Sequence, residues 1–110
     1  MRFEIEYYNA KVRDDIASLP LTIRARYFHL ADRMEEYGPD IGMPHTRHLG
    51  DNLLEMRLKG PEGIARIFYC TLIGRRIVVL HGFIKKTDKT PSREMSIARK
   101  RLQEVRNAQS

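Results

Sequence analysis

The stretch IVVLHGFIKKTDKTP at residues 77–91 decides the fold. Its first part, Ile77 to Ile84, is apolar almost throughout, which predicts a central strand buried on both faces of a sheet. A cluster of lysines follows this apolar run in the sequence. The pair Thr90-Pro91 begins a helix, because proline suits a first helical turn. The edge of such a sheet can present fixed cations to a phosphate group.

Two further strands precede the central strand. Apolar and charged residues alternate along residues 54–59, so one face of that strand is apolar and the other is charged. Residues 64–72 are rich in β-branched and aromatic side chains, which favours a second strand. The turns at residues 60–63 and 74–76 are too short for parallel crossovers. The three strands should therefore form an antiparallel meander.

The first half of the chain predicts one more strand and two helices. Phe3 to Tyr7 alternates apolar and acidic residues, as a half-buried strand does. One helix is expected from Ala10 to Leu19, and a second from Pro20 to the Gly38-Pro39 pair, which ends it. Residues 40–49 are interpreted as a loop.

These elements give the order β-α-α-β-β-β-α, an α+β fold in which residues 1–110 make one domain. The sheet is expected to be small and antiparallel, with the helices packed on one face. The other face, which carries Glu55 and Arg57, is then expected to stay open. A chain of this size buries about 60–70% of its unfolded surface, which is enough for one core.

The charge of the chain is strongly uneven. Residues 1–55 contain 7 Lys/Arg and 10 Asp/Glu, whereas residues 56–110 contain 13 and 4. This asymmetry favours a face that binds a polyanion, with a merely solvated charged surface as the alternative. A single cysteine, Cys70, excludes an internal disulfide and fits a cytoplasmic location. No apolar run is long enough to span a membrane.

Three blocks carry a family resemblance: residues 53–57 (LLEMR), 65–69 (ARIFY) and 80–87 (LHGFIKKT), followed by the Thr-Pro helix. Their order and spacing resemble the RelE/ParE toxin superfamily, and within it the HigB-like branch of toxin–antitoxin toxins. The resemblance covers most of the chain. It implies a RelE-like fold and an endoribonuclease that cleaves messenger RNA on the translating ribosome. It also implies a partner antitoxin, typically a HigA-like helix-turn-helix protein.

RNA can be cut without a metal or cofactor when a 2′-hydroxyl attacks its own phosphate. The reaction needs cations that stabilise the phosphorane, and groups that transfer protons. Arginine holds two phosphate oxygens with its planar fork, and lysine acts as a point charge. We therefore expect Arg57, Arg66, Lys85 and Lys86 to be catalytic. Glu55 is either a general base or the group that orients an arginine.

Each of these cations also has a structural interpretation. Arg57 either faces a ligand, forms an ion pair with Glu55 or is an ordinary surface arginine. Arg66 interrupts an apolar strand, so it is either paired with a carboxylate such as Glu55 or turned into the open face. Lys85 and Lys86 point to opposite faces if the strand persists, and only one is then expected to enter the site.

The remaining candidates are substrate contacts. His81 is either a core residue or a proton donor, Phe83 either stacks on a base or packs in the core, and Lys59 and Lys89 add positive charge. Many RelE-type toxins use a tyrosine near the C-terminus, but none follows Tyr69 here. The general acid therefore stays open among Lys85, Lys86 and His81.

Metal binding is not expected. His45 and His48 have a spacing compatible with ligation, but no cysteine or carboxylate cluster completes a site. Two other functions compete with RNA cleavage. One is ParE-like inhibition of DNA gyrase without phosphoryl transfer. The other is a non-catalytic module that binds nucleic acid through the basic C-terminal helix.

Overall fold

A computed structural model describes residues 2–85 and 91–109 of the chain. The elements within these residues are β1 (Glu4–Tyr7), α1 (Ala10–Ala17), α2 (Leu21–Tyr37), β2 (Thr46–Gly50), β3 (Leu53–Gly60), β4 (Gly63–Leu72), β5 (Arg76–Lys85) and α3 (Ser92–Gln109). The mixed α+β fold is therefore confirmed. Among the described helices, none has the length and apolar character that a membrane crossing requires.

The strands form one sheet in the order β1-β5-β4-β3-β2. The antiparallel meander of β3, β4 and β5 is confirmed. The expectation of a wholly antiparallel sheet is wrong, because β1 pairs in parallel with β5. Short turns dictate the pairing of neighbours in sequence. No such turn links β1 to β5, so the sequence pattern did not reveal their relative direction.

The edge strand β2 lies where a loop was expected, so the order of elements is β-α-α-β-β-β-β-α. A tight turn joins β2 to β3 through Gly50, Asp51 and Asn52, whose φ angles are 93°, 54° and 66°. Glycine, aspartate and asparagine are the residues that adopt this left-handed conformation most readily. The strand itself, Thr46–Gly50, has too few apolar residues to show a clear alternation.

Helices α1 and α2 cover one face of the sheet. Their buried side chains, such as Ile16 and Ile23, pack against Met56 and Ile67. Asn9 caps α1, because its side-chain oxygen accepts a hydrogen bond from the backbone N–H of Val12 at 2.8 Å.

Helix α3 covers part of the opposite face, so the expectation that all helices share one face is wrong. Ala98 and Leu102 pack there against Phe68 and Leu80. The reason lies in β5, whose central residues are buried on both sides, as predicted. A second apolar face cannot remain in water, and α3 is the element that removes it from solvent.

A β-bulge changes which residues of β5 face α3. Tyr69 pairs with Val79 and Phe68 pairs with His81, so Leu80 is an extra residue in the strand. Such a bulge shifts the alternation of side chains by one position. Consequently His81, and every second residue after it, lies on the α3 side of the sheet.

The packing of α3 can be tested at Leu102, which is 3% exposed. We expect Leu102→Ala to lower the free energy of unfolding by about 2–5 kcal/mol, because a buried side chain is lost and a cavity remains. The control Gln103→Ala alters the exposed neighbour and should stay within about 0.5 kcal/mol of the parent. Urea unfolding followed by circular dichroism measures both. Equal stabilities would contradict this packing.

Candidate functional site

The register of the meander brings two rows of side chains together on the face that α3 partly covers. The first row contains Arg57, Arg66 and Phe83, one from each strand, and the second contains Glu55, Phe68 and His81. Sequence alternation predicted that Glu55 and Arg57 share this face. The residues of β5 join them because of the bulge at Leu80, which strict alternation does not anticipate.

A buried ion pair lies at the centre of this surface. Glu55 is 1% exposed and Arg66 is 6% exposed, and Nη1 of Arg66 donates to Oε1 of Glu55. Nε of Arg47 reaches the same oxygen at 3.0 Å. Oε1 of Glu55 is therefore shared by two guanidinium groups, an arrangement that suits the orientation of arginines. Of the two interpretations of Arg66, the structure shows the carboxylate-paired one.

Two buried polar atoms of this pair, Oε2 of Glu55 and Nε of Arg66, have no hydrogen-bond partner among the residues that the structure describes. Buried polar atoms are rarely left without a partner, because each loses its hydration without compensation. A small cavity of about 70 Å³ lies beside them, bounded also by Arg47 and Arg57.

Arg57 is the accessible cation of the first row. It lies opposite Arg66 on β3 and its side chain is exposed. Its backbone N–H donates to the carbonyl of His45 at 2.9 Å. Its guanidinium forms no ion pair with any residue in the described ranges, so the alternative of a pair with Glu55 is wrong. Arg57 can therefore receive an anion from solvent.

His81 is held between aromatic rings and a carboxylate. Its ring stacks with Phe68 and Phe83, with centroids 6.4 and 6.1 Å apart. Its Nε2 lies 2.6 Å from Oε2 of Glu94, in the first turn of α3. A carboxylate oxygen accepts hydrogen bonds, so the N–H at Nε2 is the donor of this contact.

The predicted lysines lie in different places. Lys85 is 4% exposed and follows Phe83 on the same face. Lys59 is exposed at the end of β3. Lys86 and Lys89 lie outside the residues that the structure describes. The proposed alternation between the two neighbouring lysines is therefore not tested.

Two residues of the site, Arg47 and Glu94, were not predicted. Arg47 lies in the strand that was interpreted as a loop. Glu94 lies in a helix that was expected on the other face. Its position in a first helical turn, where carboxylates are favoured, was the available signal. Neither could be placed near Glu55 or His81 without knowing the layers of the fold.

Other candidate residues lie away from this surface. Tyr69 is a core residue whose hydroxyl donates to the carbonyl of Pro39 at 2.6 Å, and burial raises its pKa. Burial also raises the pKa of the Cys70 thiol to about 11. His48 contacts Asp40 at 2.9 Å. Within residues 2–85 and 91–109, no His, Cys, Asp and Glu side chains cluster as a metal site would require.

The energetics of the buried pair can be tested with two variants. Glu55→Ala leaves the Arg66 guanidinium without its carboxylate, and we expect a loss of about 3–5 kcal/mol in the free energy of unfolding. The double variant Glu55→Leu/Arg66→Met replaces the pair with apolar side chains and should recover most of that loss. Urea midpoints measure both. A double variant as unstable as Glu55→Ala would contradict this account.

Known proteins share both sequence and fold with the chain. The sequence model of the family described as "Phage derived protein Gp49-like (DUF891)" matches residues 14–103. A double arginine-to-alanine mutant of the E. coli toxin RelE in the free state is similar in structure. The TM-score is 0.66 and the identity 13%, over 93% of this chain and 99% of that chain.

A second solved structure is the archaeal RelE–RelB complex from Pyrococcus horikoshii OT3. Here the TM-score is 0.56 and the identity 19%, over 78% of this chain and 98% of that one. The comparison with curated proteins finds no match. The predicted RelE-like fold is thus confirmed. The chain belongs to the phage-derived, Gp49-like family, and its fold is that of the RelE toxins.

Proposed function

We propose that this protein is the toxin of a type II toxin–antitoxin pair, an endoribonuclease that cleaves messenger RNA in the cytoplasm. The observation that carries the proposal is the convergence of Arg57, Arg66 and His81 on one partly open sheet face. These groups supply fixed positive charge and a titratable ring within one site. The RelE fold and the Gp49-like family support the same assignment.

The reaction that suits this site is attack of the 2′-oxygen on the adjacent phosphorus. The bond to the 5′-oxygen breaks in line, leaving a 2′,3′-cyclic phosphate and a 5′-hydroxyl. Arg57 contacts the non-bridging oxygens, and Arg66 adds positive charge that Glu55 holds in place. Preformed charges of this kind stabilise a transition state without reorganisation, often as the largest single contribution to catalysis.

Protons must leave the 2′-hydroxyl and reach the 5′-oxygen. His81 suits one of these transfers, because the contact with Glu94 orients its ring and directs Nε2, and not Nδ1, to the carboxylate. Lys85 lies on the same face, and Lys86 is the other lysine proposed for proton transfer. Phe83, which is half-buried, offers part of its ring for stacking on a base.

The proposal includes an antitoxin and the ribosome. The archaeal RelE structure is a complex with RelB, which supports an antitoxin for this chain as well. In the HigB-like assignment, that partner is a HigA-like helix-turn-helix protein. Cleavage on the translating ribosome is the expected context, with messenger RNA as the substrate.

The test is expression of the chain and of Arg57→Ala in bacterial cells, with transcript ends mapped. The parent should stop growth and leave transcripts with 2′,3′-cyclic phosphates. Arg57→Ala should lower cleavage by about 100-fold or more, because a cation at the phosphorane is lost. Arg13→Ala is the matched control, since Arg13 is an exposed arginine of α1 that lies beside Asp14.

Other results would identify a different function. Growth arrest with DNA damage and intact transcripts would favour inhibition of gyrase. RNA binding without cleavage in any context would favour a non-catalytic module. Full toxicity of Arg57→Ala would contradict the proposed site.

A further inference from the structure

A second concave surface lies beside the site, between α2 and the end of β3. It is a groove of about 380 Å³. Helix α2 lines it with Arg26, His29 and Arg33, whose spacing places them on one side of the helix. Strand β3 lines it with Arg57 and Lys59. Two segments far apart in sequence therefore contribute four cations to one groove.

The described lining of the groove is cationic. Among the described residues that line it, none is an aspartate or a glutamate. Arg33, Arg57 and Lys59 form no ion pair with any residue that the structure describes. A concavity lined by charges of one sign concentrates the field and attracts counter-ions of the opposite sign. A ligand for this groove should therefore be anionic.

The walls of the groove are held in a fixed relation. The Arg26 guanidinium donates a hydrogen bond to the backbone carbonyl of Lys59 and so joins α2 to the end of β3. Fixed walls lower the entropy that a ligand must lose on binding. The cations of the two elements can thus act together.

The lining also has an apolar part, formed by Leu30, Leu58 and Pro44, with His29 and His45 beside it. Single-stranded RNA combines flat bases with phosphates, and proteins bind it with apolar or ring surfaces flanked by cations. Leu30 and Leu58 are almost fully buried at the floor of the groove, whereas Pro44, His29 and His45 are exposed. These exposed rings suit a base, and the cations suit the backbone.

We infer that the groove binds the RNA strand next to the scissile phosphate. The inference rests on the proposed function, because it takes the anion at Arg57 to be an RNA phosphate. Arg57 borders both the groove and the small cavity at the Glu55–Arg66 pair. A strand with one phosphate at that pair therefore continues past Arg57 into the groove, where Arg33 meets a neighbouring phosphate.

The test measures binding separately from cleavage. A fluorescent RNA hexamer carrying 2′-O-methyl groups lacks the attacking hydroxyl, and anisotropy gives its affinity. We expect Arg33→Gln to bind it about 5- to 10-fold more weakly and to reduce the slope of log affinity against log salt by about 0.7, as loss of one phosphate contact predicts. Arg33→Lys should keep most of the affinity, and Arg13→Gln should behave as the parent.

Equal affinity of Arg33→Gln and the parent would overturn the inference. Selective loss of binding to a poly-glutamate peptide, with RNA affinity unchanged, would also overturn it and assign the groove to an acidic protein partner. Transcript mapping distinguishes a failure of this inference from a failure of the proposed function. Arg33-dependent RNA binding without cleavage in cells supports the groove and contradicts the nuclease. Cleavage that needs Arg57 while Arg33→Gln binds normally contradicts the groove alone.

Discussion

The extra residue at Leu80 is the constraint on which the site depends. Upstream of it, β5 sends Val79 towards α1 and α2, and strict alternation would send His81 the same way. The bulge turns His81 and Phe83 to the side of Arg66 instead. Leu80 packs among the apolar residues beneath α3, which fixes the bulge in place. One inserted position thus converts an ordinary core strand into a strand that completes a polar site.

The buried Glu55–Arg66 pair adds rigidity at the cost of desolvation. Two charges removed from water are rarely better for stability than two apolar side chains of similar size. The pair does hold the Arg66 guanidinium at one position, directly across from Arg57. Two atoms of the pair, Oε2 of Glu55 and Nε of Arg66, have no hydrogen-bond partner in the part of the chain that the structure describes.

The sequence predicted the parts of the fold that follow from local periodicity. The alternation in residues 54–59 assigned the charged face of β3, and the apolar run of β5 indicated burial on both sides. The same run already argued against an open second face, since something must cover it. Which helix covers that face depends on how the chain connects β5 to α3. The hydrophobic periodicity of the sequence does not encode this connection.

The site was less predictable because it depends on register. Candidates on β3 and β4 were found from charge alone, and cross-strand pairing then placed Arg57 beside Arg66. The cations that α2 contributes to the groove were not predicted, because residues 1–55 are acidic on average. An average over half the chain cannot show that Arg26 and Arg33 line the same groove. To predict the groove, the charge on the groove-lining side of α2 would have had to be considered separately.

The sheet face that carries the site is covered by α3 at one end and open to solvent at the other. This difference bears on the proposed function. Under α3 the face is apolar and excludes water around Phe68 and Leu80. Towards Arg57 and Lys59 it is open to solvent. The Arg66–Glu55 pair lies at the boundary, where charges are screened less than in bulk water. In the proposed function, a phosphate enters from the open end and meets cations there. The covered end lowers the local dielectric constant and so strengthens their attraction. The fold achieves this because α3 covers the face only in part.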